Sequence, residues 1–197
     1  MASNRERALK AAVELLGTGG LRALTHARVD DRAGLPKGST SNHFRTRAAL
    51  LDGAVAWMLE QERPEVGRTL DPATPEELLD DLCGLFAFMT GPNRVVTTAR
   101  MVLWLEAGHN LSLRRALMSG RAVMEELVVP VLARLGACDP VAACEAFSAC
   151  FQGLFVQWIA RGEQLDPRPA FEVVLRGRSA DRFGGRLLGI PWSWAPR

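Results

Sequence analysis

Apolar residues recur at helical spacing along almost the whole chain, and nowhere do they alternate over the length of a strand. Leu9, Ala12, Val13 and Leu16 stand at i, i+3, i+4 and i+7, one face of a helix with about 3.6 residues per turn. The period returns in Leu50, Leu51, Ala54, Val55 and Met58, and again in Leu78, Leu82, Leu85, Phe86 and Met89. The punctuation is helical too. Ser3 followed by Glu6 fits a capping box, and Thr25 and Thr46 are good N-caps. Thr74-Pro75-Glu76-Glu77 combines a cap, a first-turn proline and a capping-box glutamate. With no strand signal and no repeat, the chain is expected to be all-α, with about nine helices.

The first segments are short and closely spaced. A helix over residues 4–17 is expected to stop at GTGG (17–20), a second to run over 26–33 and end at Gly34, and a third to run over 37–43. Ala27, Val29 and Ala33 give the second helix a modest apolar side, and Pro36 suits the first turn of the third. Two short helices joined by a glycine-containing turn, set among longer ones, follow the helix-turn-helix plan. Residues 62–77, with three prolines, read as a connector. TGPN (90–93) and GHN (108–110) separate later helices, Asp139-Pro140 and Asp166-Pro167 open two more, and the tail 178–197 is expected to be irregular.

Charge divides the chain in the same place. Through Leu51 there are nine basic and four acidic side chains, a net +5, which leaves −3 for the rest of a chain whose formal charge is +2. A basic head on a mildly acidic body points to a polyanionic partner for the head. At 48% hydrophobic and 23% charged, the composition of the 197 residues is that of a globular protein with a sizeable core. No apolar run approaches the ~18–20 residues of a membrane span, and no secretory signal is visible, so a cytoplasmic location is expected. Cys83, Cys138, Cys144 and Cys150 match no zinc spacing and are expected to be buried thiols, a redox sensor being the minor alternative.

Residues 22–51, RALTHARVDDRAGLPKGSTSNHFRTRAALL, resemble the N-terminal domain of the tetracycline-repressor (TetR) family of bacterial transcription regulators. The matching features are Gly20 and Thr25, Ala33-Gly34 at the turn, Gly38-Ser39 opening the third helix, His43-Phe44 closing it, and Arg47 with Leu50-Leu51. Arg7, Ala8, Leu9 and Ala11-Ala12 fit the same pattern, so the resemblance covers roughly residues 5–55. It implies a helix-turn-helix DNA-binding domain over 1–48 and a ligand-binding and dimerisation domain over 49–197.

The resemblance implies that Lys37, Ser39, Ser41, Asn42 and His43 face DNA. A helix of about seven residues is only ~10 Å long, so few side chains can reach base edges. Asn42 suits adenine and Lys37 suits guanine or phosphate, while Ser39 and Ser41 suit phosphate oxygens. Thr25, His26 and Arg28 begin the helix that crosses the backbone in such motifs, and Arg47 resembles the family's basic phosphate clamp. Phe44 is expected in the core. Two positions depart from the family. Ser41 and Asn42 stand where many members carry aromatics, commonly Tyr, and this chain has no Tyr. Pro36 stands where a capping Ser or Thr is common.

Catalytic and metal readings find little support. His26 and His43 lack an evident carboxylate or nucleophile partner, His109 reads as a loop or cap residue, and Asp80-Asp81 and Glu125-Glu126 read as solvated faces. No catalytic residue, cofactor or metal is expected. In the body, Phe86, Met89, Met101, Trp104, Met118, Phe151 and Trp158 are candidates for an apolar ligand cavity, as the resemblance implies, or are plain core. Residues 140–160 are apolar nearly all round, which signals burial on more than one side. Gly153 would permit close approach of a second subunit, flanked by Phe147, Leu154 and Trp158, with Phe171, Val174 and Leu175 from the last helix. The expected protein is a homodimeric DNA-binding regulator, a repressor of a near-palindromic operator released by a small hydrophobic effector. A ligand-independent architectural DNA binder is the alternative, and a helical enzyme or carrier a more remote one.

Overall fold

The computed structural model describes residues 2–69, 71–162 and 165–176, with the backbone alone over 62–69. Among these residues there are nine helices and no strand: α1 (Asn4–Ala23), α2 (His26–Ala33), α3 (Ser39–His43), α4 (Arg47–Thr69), α5 (Pro75–Thr90), α6 (Arg94–Glu106), α7 (Leu111–Arg134), α8 (Pro140–Arg161) and α9 (Arg168–Arg176). The tail expected to be irregular lies outside the described residues.

Side chains close the helix starts as the sequence suggests. The Glu6 N–H donates to Ser3 Oγ (3.2 Å), Arg28 N–H to Thr25 Oγ1 (3.3 Å), Ala49 N–H to Thr46 Oγ1 (3.1 Å), Glu77 N–H to Thr74 Oγ1 (3.1 Å) and Ala142 N–H to Asp139 Oδ1 (2.9 Å). Each such cap stabilises its helix by about 1 kcal/mol.

Three boundaries differ from expectation. α1 does not stop at Gly17; it continues to Ala23 and breaks only at Gly20, whose φ of 66° is left-handed. Gly17 serves contact instead, because a Cβ there would lie 2.0 Å from the Val95 carbonyl oxygen on α6. α3 begins two residues later than expected, at Ser39. Pro36 and Lys37 lie in the preceding turn, where the Ser39 N–H donates to the Pro36 carbonyl (3.1 Å) and Gly38 has φ 87°. α4 runs on to Thr69, so 62–69 is helix rather than connector despite Pro64. A proline forfeits one i→i−4 bond, but extending a helix already anchored by its buried stripe costs far less than starting one. Pro130 is likewise carried inside α7.

Two apolar clusters organise the bundle. The first joins head to body: Leu9, Val13 and Leu16 of α1, Val29 of α2, Phe44, and Leu50, Ala54 and Val55 of α4 pack with Ala99 and Leu103 of α6 and Leu113 of α7. The second holds α5, α8, α9 and the end of α7 together around Phe86, Phe147, Phe151, Phe155 and Phe171. Phe86 and Phe155 stack at 5.3 Å, and Phe151 meets Phe171 at 4.6 Å. Ion pairs brace its surface, Arg134 with Asp71 at 2.5 Å and Arg168 with Asp80. α6 belongs to both regions: it makes the most extensive contact of α1 and also touches α5 and α8.

Candidate nucleic-acid interface

The head is a three-helix unit whose smallest member is held by its neighbours. α3 has five residues, fewer than a helix needs to stand alone in water. Asp30, buried on α2, supplies its beginning. The carboxylate accepts the Gly38 N–H (2.8 Å), the Thr40 N–H (2.8 Å) and the Thr40 hydroxyl (2.5 Å). Burial alone would raise this carboxyl. The bonds from Thr40 and Gly38, with nearby His26, outweigh it and hold Asp30 below its ordinary value, so it stays ionised at neutral pH.

The other end of α3 is held from the same helix. His26 Nε2 lies 2.6 Å from the Phe44 carbonyl oxygen. A carbonyl only accepts, so this nitrogen carries the proton and donates. Phe44 itself is buried, as expected, in a slot made by Gly53. A Cβ on Gly53 would lie 2.7 Å from the Phe44 ring. Arg5 covers the ring at 5.5 Å.

Arginines tie the remaining ends. Arg7 donates to the carbonyls of Ala33 (2.7 Å) and Gly34 (3.1 Å), fixing the turn after α2 to α1. Arg47 donates to the carbonyls of Leu21 (2.6 Å) and Leu24 (3.3 Å) where α1 ends, the first of which also accepts the Leu24 N–H (3.3 Å). Two of the five guanidinium donors of Arg47 are therefore engaged within the chain, and three remain for another acceptor.

What is left outward is the set of small polar side chains and bases. Lys37, Ser41, Asn42 and His43 are exposed on α3 and its lead-in, and Thr25, Arg28 and Arg47 are exposed beside it. Ser39 is half-buried and its hydroxyl donates to the Pro36 carbonyl (2.6 Å), while His26 is half-buried through its bond to Phe44. Sequence reasoning gave Asp30 no role and Arg7 only a place in the family pattern. Asp30 sits among charged residues in RVDDRA, where no local signal marks burial. Ala27, assigned to the apolar side of α2, is exposed while Asp30 is buried.

The body residues proposed for a cavity do not all come together. Phe86, Met89, Met101, Phe151 and Trp158 belong to the second cluster, Trp104 packs on the first, and Met118 is 41% exposed. Arg100, a single base within the apolar run VVTTARMVLWL of α6, was not singled out; burial pushes it down to about 10, so it remains charged at neutral pH. Of the residues proposed for a subunit contact, Phe147, Leu154 and Phe171 lie in the core of their own chain, and Trp158, Val174 and Leu175 are half-buried against it. Gly153 is exposed, and a Cβ built there has no neighbour within 4 Å. The four cysteines are free thiols, and Cys138 is exposed rather than buried. Burial raises the Cys83, Cys144 and Cys150 thiols, which keeps them protonated and poorly reactive. Among the described residues no group of His, Cys, Asp and Glu is arranged to hold a metal, and no helix is long and apolar enough to cross a membrane.

A basic three-helix head with an exposed short helix, mounted on a separate helical body, defines a helix-turn-helix DNA-binding regulator. Residues 8–54 match the sequence model of the bacterial regulatory proteins of the tetR family, and residues 73–180 match the tetracyclin repressor-like C-terminal domain. The chain belongs to the TetR family of transcription regulators. Solved structures share the architecture. A transcriptional regulator from Rhodococcus sp. Rha1 superimposes with a TM-score of 0.78 at 16% identity, covering 89% of this chain and 96% of its own. A TetR-family member from Streptomyces coelicolor A3 gives 0.71 at 26% identity, covering 89% and 98%. The multidrug binding protein EbrR, solved with ethidium, gives 0.68 at 27% identity, covering 88% and 98%. No curated protein matches the chain at a significant level.

Proposed function

We propose that the protein is a homodimeric repressor in the cytoplasm that binds a near-palindromic operator and is released by a small hydrophobic effector. The observation that carries the DNA half of this reading is the outward set Ser41, Asn42 and His43 on α3, with Lys37 in the turn before it, on a helix whose two ends are both held by α2. With Ser41 and Asn42 in place of aromatics, the backbone of α3 can approach base edges closely. Asn42 then pairs with adenine, Lys37 with guanine or phosphate, and the exposed Thr25, Arg28 and Arg47 with phosphates. The family resemblance implies Ser39 as well, and it implies His26, whose Nε2 is engaged with the Phe44 carbonyl.

So short a reading helix recognises few base pairs, and two-fold symmetry doubles the site. The surface that supports pairing is the outer face of α8 and α9. Gly153 lies there bare, with Val156 58% exposed, Ile159 43% exposed and Val173 68% exposed. Phe147, Leu154, Phe171, Val174, Leu175 and Trp158, the other residues expected at this contact, pack in the second cluster on the same two helices.

Effector release rests on α6, which joins both clusters. A molecule lodged among Phe86, Met89, Met101, Phe151 and Trp158 would bear on α6, and α6 carries α1 through Gly17. EbrR, structurally similar, is solved with ethidium and with proflavin. The effector favours dimers whose reading helices are wrongly spaced, and by reciprocity DNA weakens effector binding equally. The test is selection of duplexes from a random library by the purified protein, followed by Kd measurements at two salt concentrations. A recovered inverted repeat, bound by wild type and lost in Lys37→Ala/Asn42→Ala while the dimer persists, supports the reading. Recovery of no sequence sinks it. Ethidium titration, followed through quenching of the five Trp and loss of the DNA complex, tests the effector half.

A further inference from the structure

His26 and Asp30 stand four residues apart on α2, about 6 Å along the helix axis and on one face. α3, at five residues, is about 7.5 Å long. The two side chains therefore match the length of the helix they hold. Asp30 takes the amides at its start, Gly38 and Thr40, and the Thr40 hydroxyl, while His26 takes the Phe44 carbonyl where it ends. The backbone adds its own short-range bonds at the two ends: Ser39 N–H to Pro36 (3.1 Å), Asn42 N–H to Gly38 (3.1 Å) and Phe44 N–H to Thr40 (2.8 Å). Four contacts from one helix thus set where α3 lies, how it is rotated and how far it extends.

The chemistry of this clamp distinguishes it from ordinary packing. Val29 and Thr40 would hold α3 near α2 by burial alone, but burial is non-directional and leaves a five-residue helix free to roll. A roll moves Ser41 and Asn42 relative to the groove by ångströms, and a bidentate base contact tolerates far less. Phosphate contacts from flexible Lys37 and Arg28 tolerate much more.

We propose that His26 and Asp30 are positioning residues for the recognition helix, setting sequence discrimination rather than overall affinity for DNA. This rests on the DNA-reading role of α3 given above. His26 then acts through its bond to Phe44 rather than by touching phosphate. The acid at 30 is required as an acid: three donors converge on it, and an amide at that position would turn an N–H towards the Gly38 or Thr40 amide. Asparagine is nearly isosteric with aspartate, so it preserves packing while breaking the clamp.

The experiment uses the full-length dimer and the duplex that wild type selects from a random library, with a scrambled duplex of equal length as reference. Asp30→Asn and His26→Phe are compared with wild type for both duplexes at several salt concentrations. The expected result is a loss of at least about tenfold in affinity for the selected duplex. Affinity for the scrambled duplex changes by less than about twofold, with an unchanged salt slope. Equal losses on both duplexes, with a salt slope smaller by about one, would assign His26 to phosphate contact and overturn its positioning role. Unchanged discrimination in Asp30→Asn would overturn the role of Asp30. Should either variant fold poorly, amide exchange in the wild type decides instead: protected Gly38 and Thr40 amides support the clamp, and exchange at the rate of an open loop refutes it. Failure of the underlying reading is separately visible, because wild type would then select no sequence at all.

Discussion

Gly17 and Val95 meet backbone to backbone. A Cβ on Gly17 would sit 2.0 Å from the Val95 carbonyl oxygen and 2.8 Å from both its carbonyl carbon and its Cγ1, so the head helix α1 and the body helix α6 are seated directly on each other at this point. Gly17→Ala must push the two helices apart along a seam that includes Leu9, Val13, Leu16, Ala99 and Leu103. The expected cost is about 1–3 kcal/mol, measured as a fall in the urea midpoint. Gly84→Ala is the contrasting case. Gly84 lies within α5 with nothing within 4 Å of an added Cβ, so the same substitution should raise stability by up to about 1 kcal/mol.

Arg47 and Lys37, both bases of the head, should part company when removed. Arg47 donates to Leu21 and Leu24 and so closes the end of α1, and Arg47→Ala is expected to lower stability by about 1–2 kcal/mol through the two lost hydrogen bonds. Lys37 is exposed in a turn, and Lys37→Ala should leave stability within about 0.5 kcal/mol. If it contacts phosphate, Lys37→Ala lowers the salt slope of DNA binding by about one. Equilibrium unfolding and salt-dependent binding, run on both variants, separate the two roles.

The acid side of the stability curve carries two opposed contributions. Asp30 is held below its ordinary value in the folded chain, so between its folded and unfolded values the unfolded state binds more protons and stability rises with pH. Its contribution is complete above about pH 4, near the unfolded value, and is lost as pH falls through the folded value. Asp81 is raised, by burial first and then by Glu77 and Asp80. There the folded state binds more protons, and ionisation above the unfolded value lowers stability. Asp30→Asn should therefore destabilise at pH 7 and flatten the acid limb. Asp81→Asn should stabilise at pH 7. Urea midpoints from pH 3 to pH 7 check both signs, and a destabilised Asp81→Asn would contradict the second.

Legibility in the sequence followed the range of the interaction. Caps such as Ser3, Thr25, Thr74 and Asp139 bond to amides three residues on, so a local pattern suffices to find them. The stripes that became the core were equally plain, since a 3.6-residue period is a property of one segment. What escaped was decided between segments. Asp30 reaches Gly38 and Thr40 only because α2 and α3 fold back on each other, and nothing in its own segment marks it as buried. Gly17 looked like a helix stop because its close neighbour, Val95, is far off in sequence. Phe147, expected beside Gly153 at a subunit contact, and Phe171, expected there from the stripe of the last helix, meet ring to ring at 6.4 Å within their own chain, because an apolar pattern on one helix does not say what it packs against.

The outer face of α8 gives the last expectation. Gly153 is exposed in a helix that also shows Val156 and Ile159 outward, and nothing in the chain lies within 4 Å of a Cβ placed there. Gly153→Arg therefore meets no obstacle within its own subunit. If two copies pair across this face, the same arginine meets its symmetry mate at the close approach the glycine allows, with burial of two like charges opposing association. The expected outcome is a folded protein, unchanged in its circular dichroism, that sediments as a monomer and loses the selected operator by far more than the scrambled duplex, since a single head reads one half-site. A variant that remains dimeric places the subunit contact elsewhere, and a wild-type protein that sediments as a monomer at micromolar concentration removes the dimer from the reading altogether.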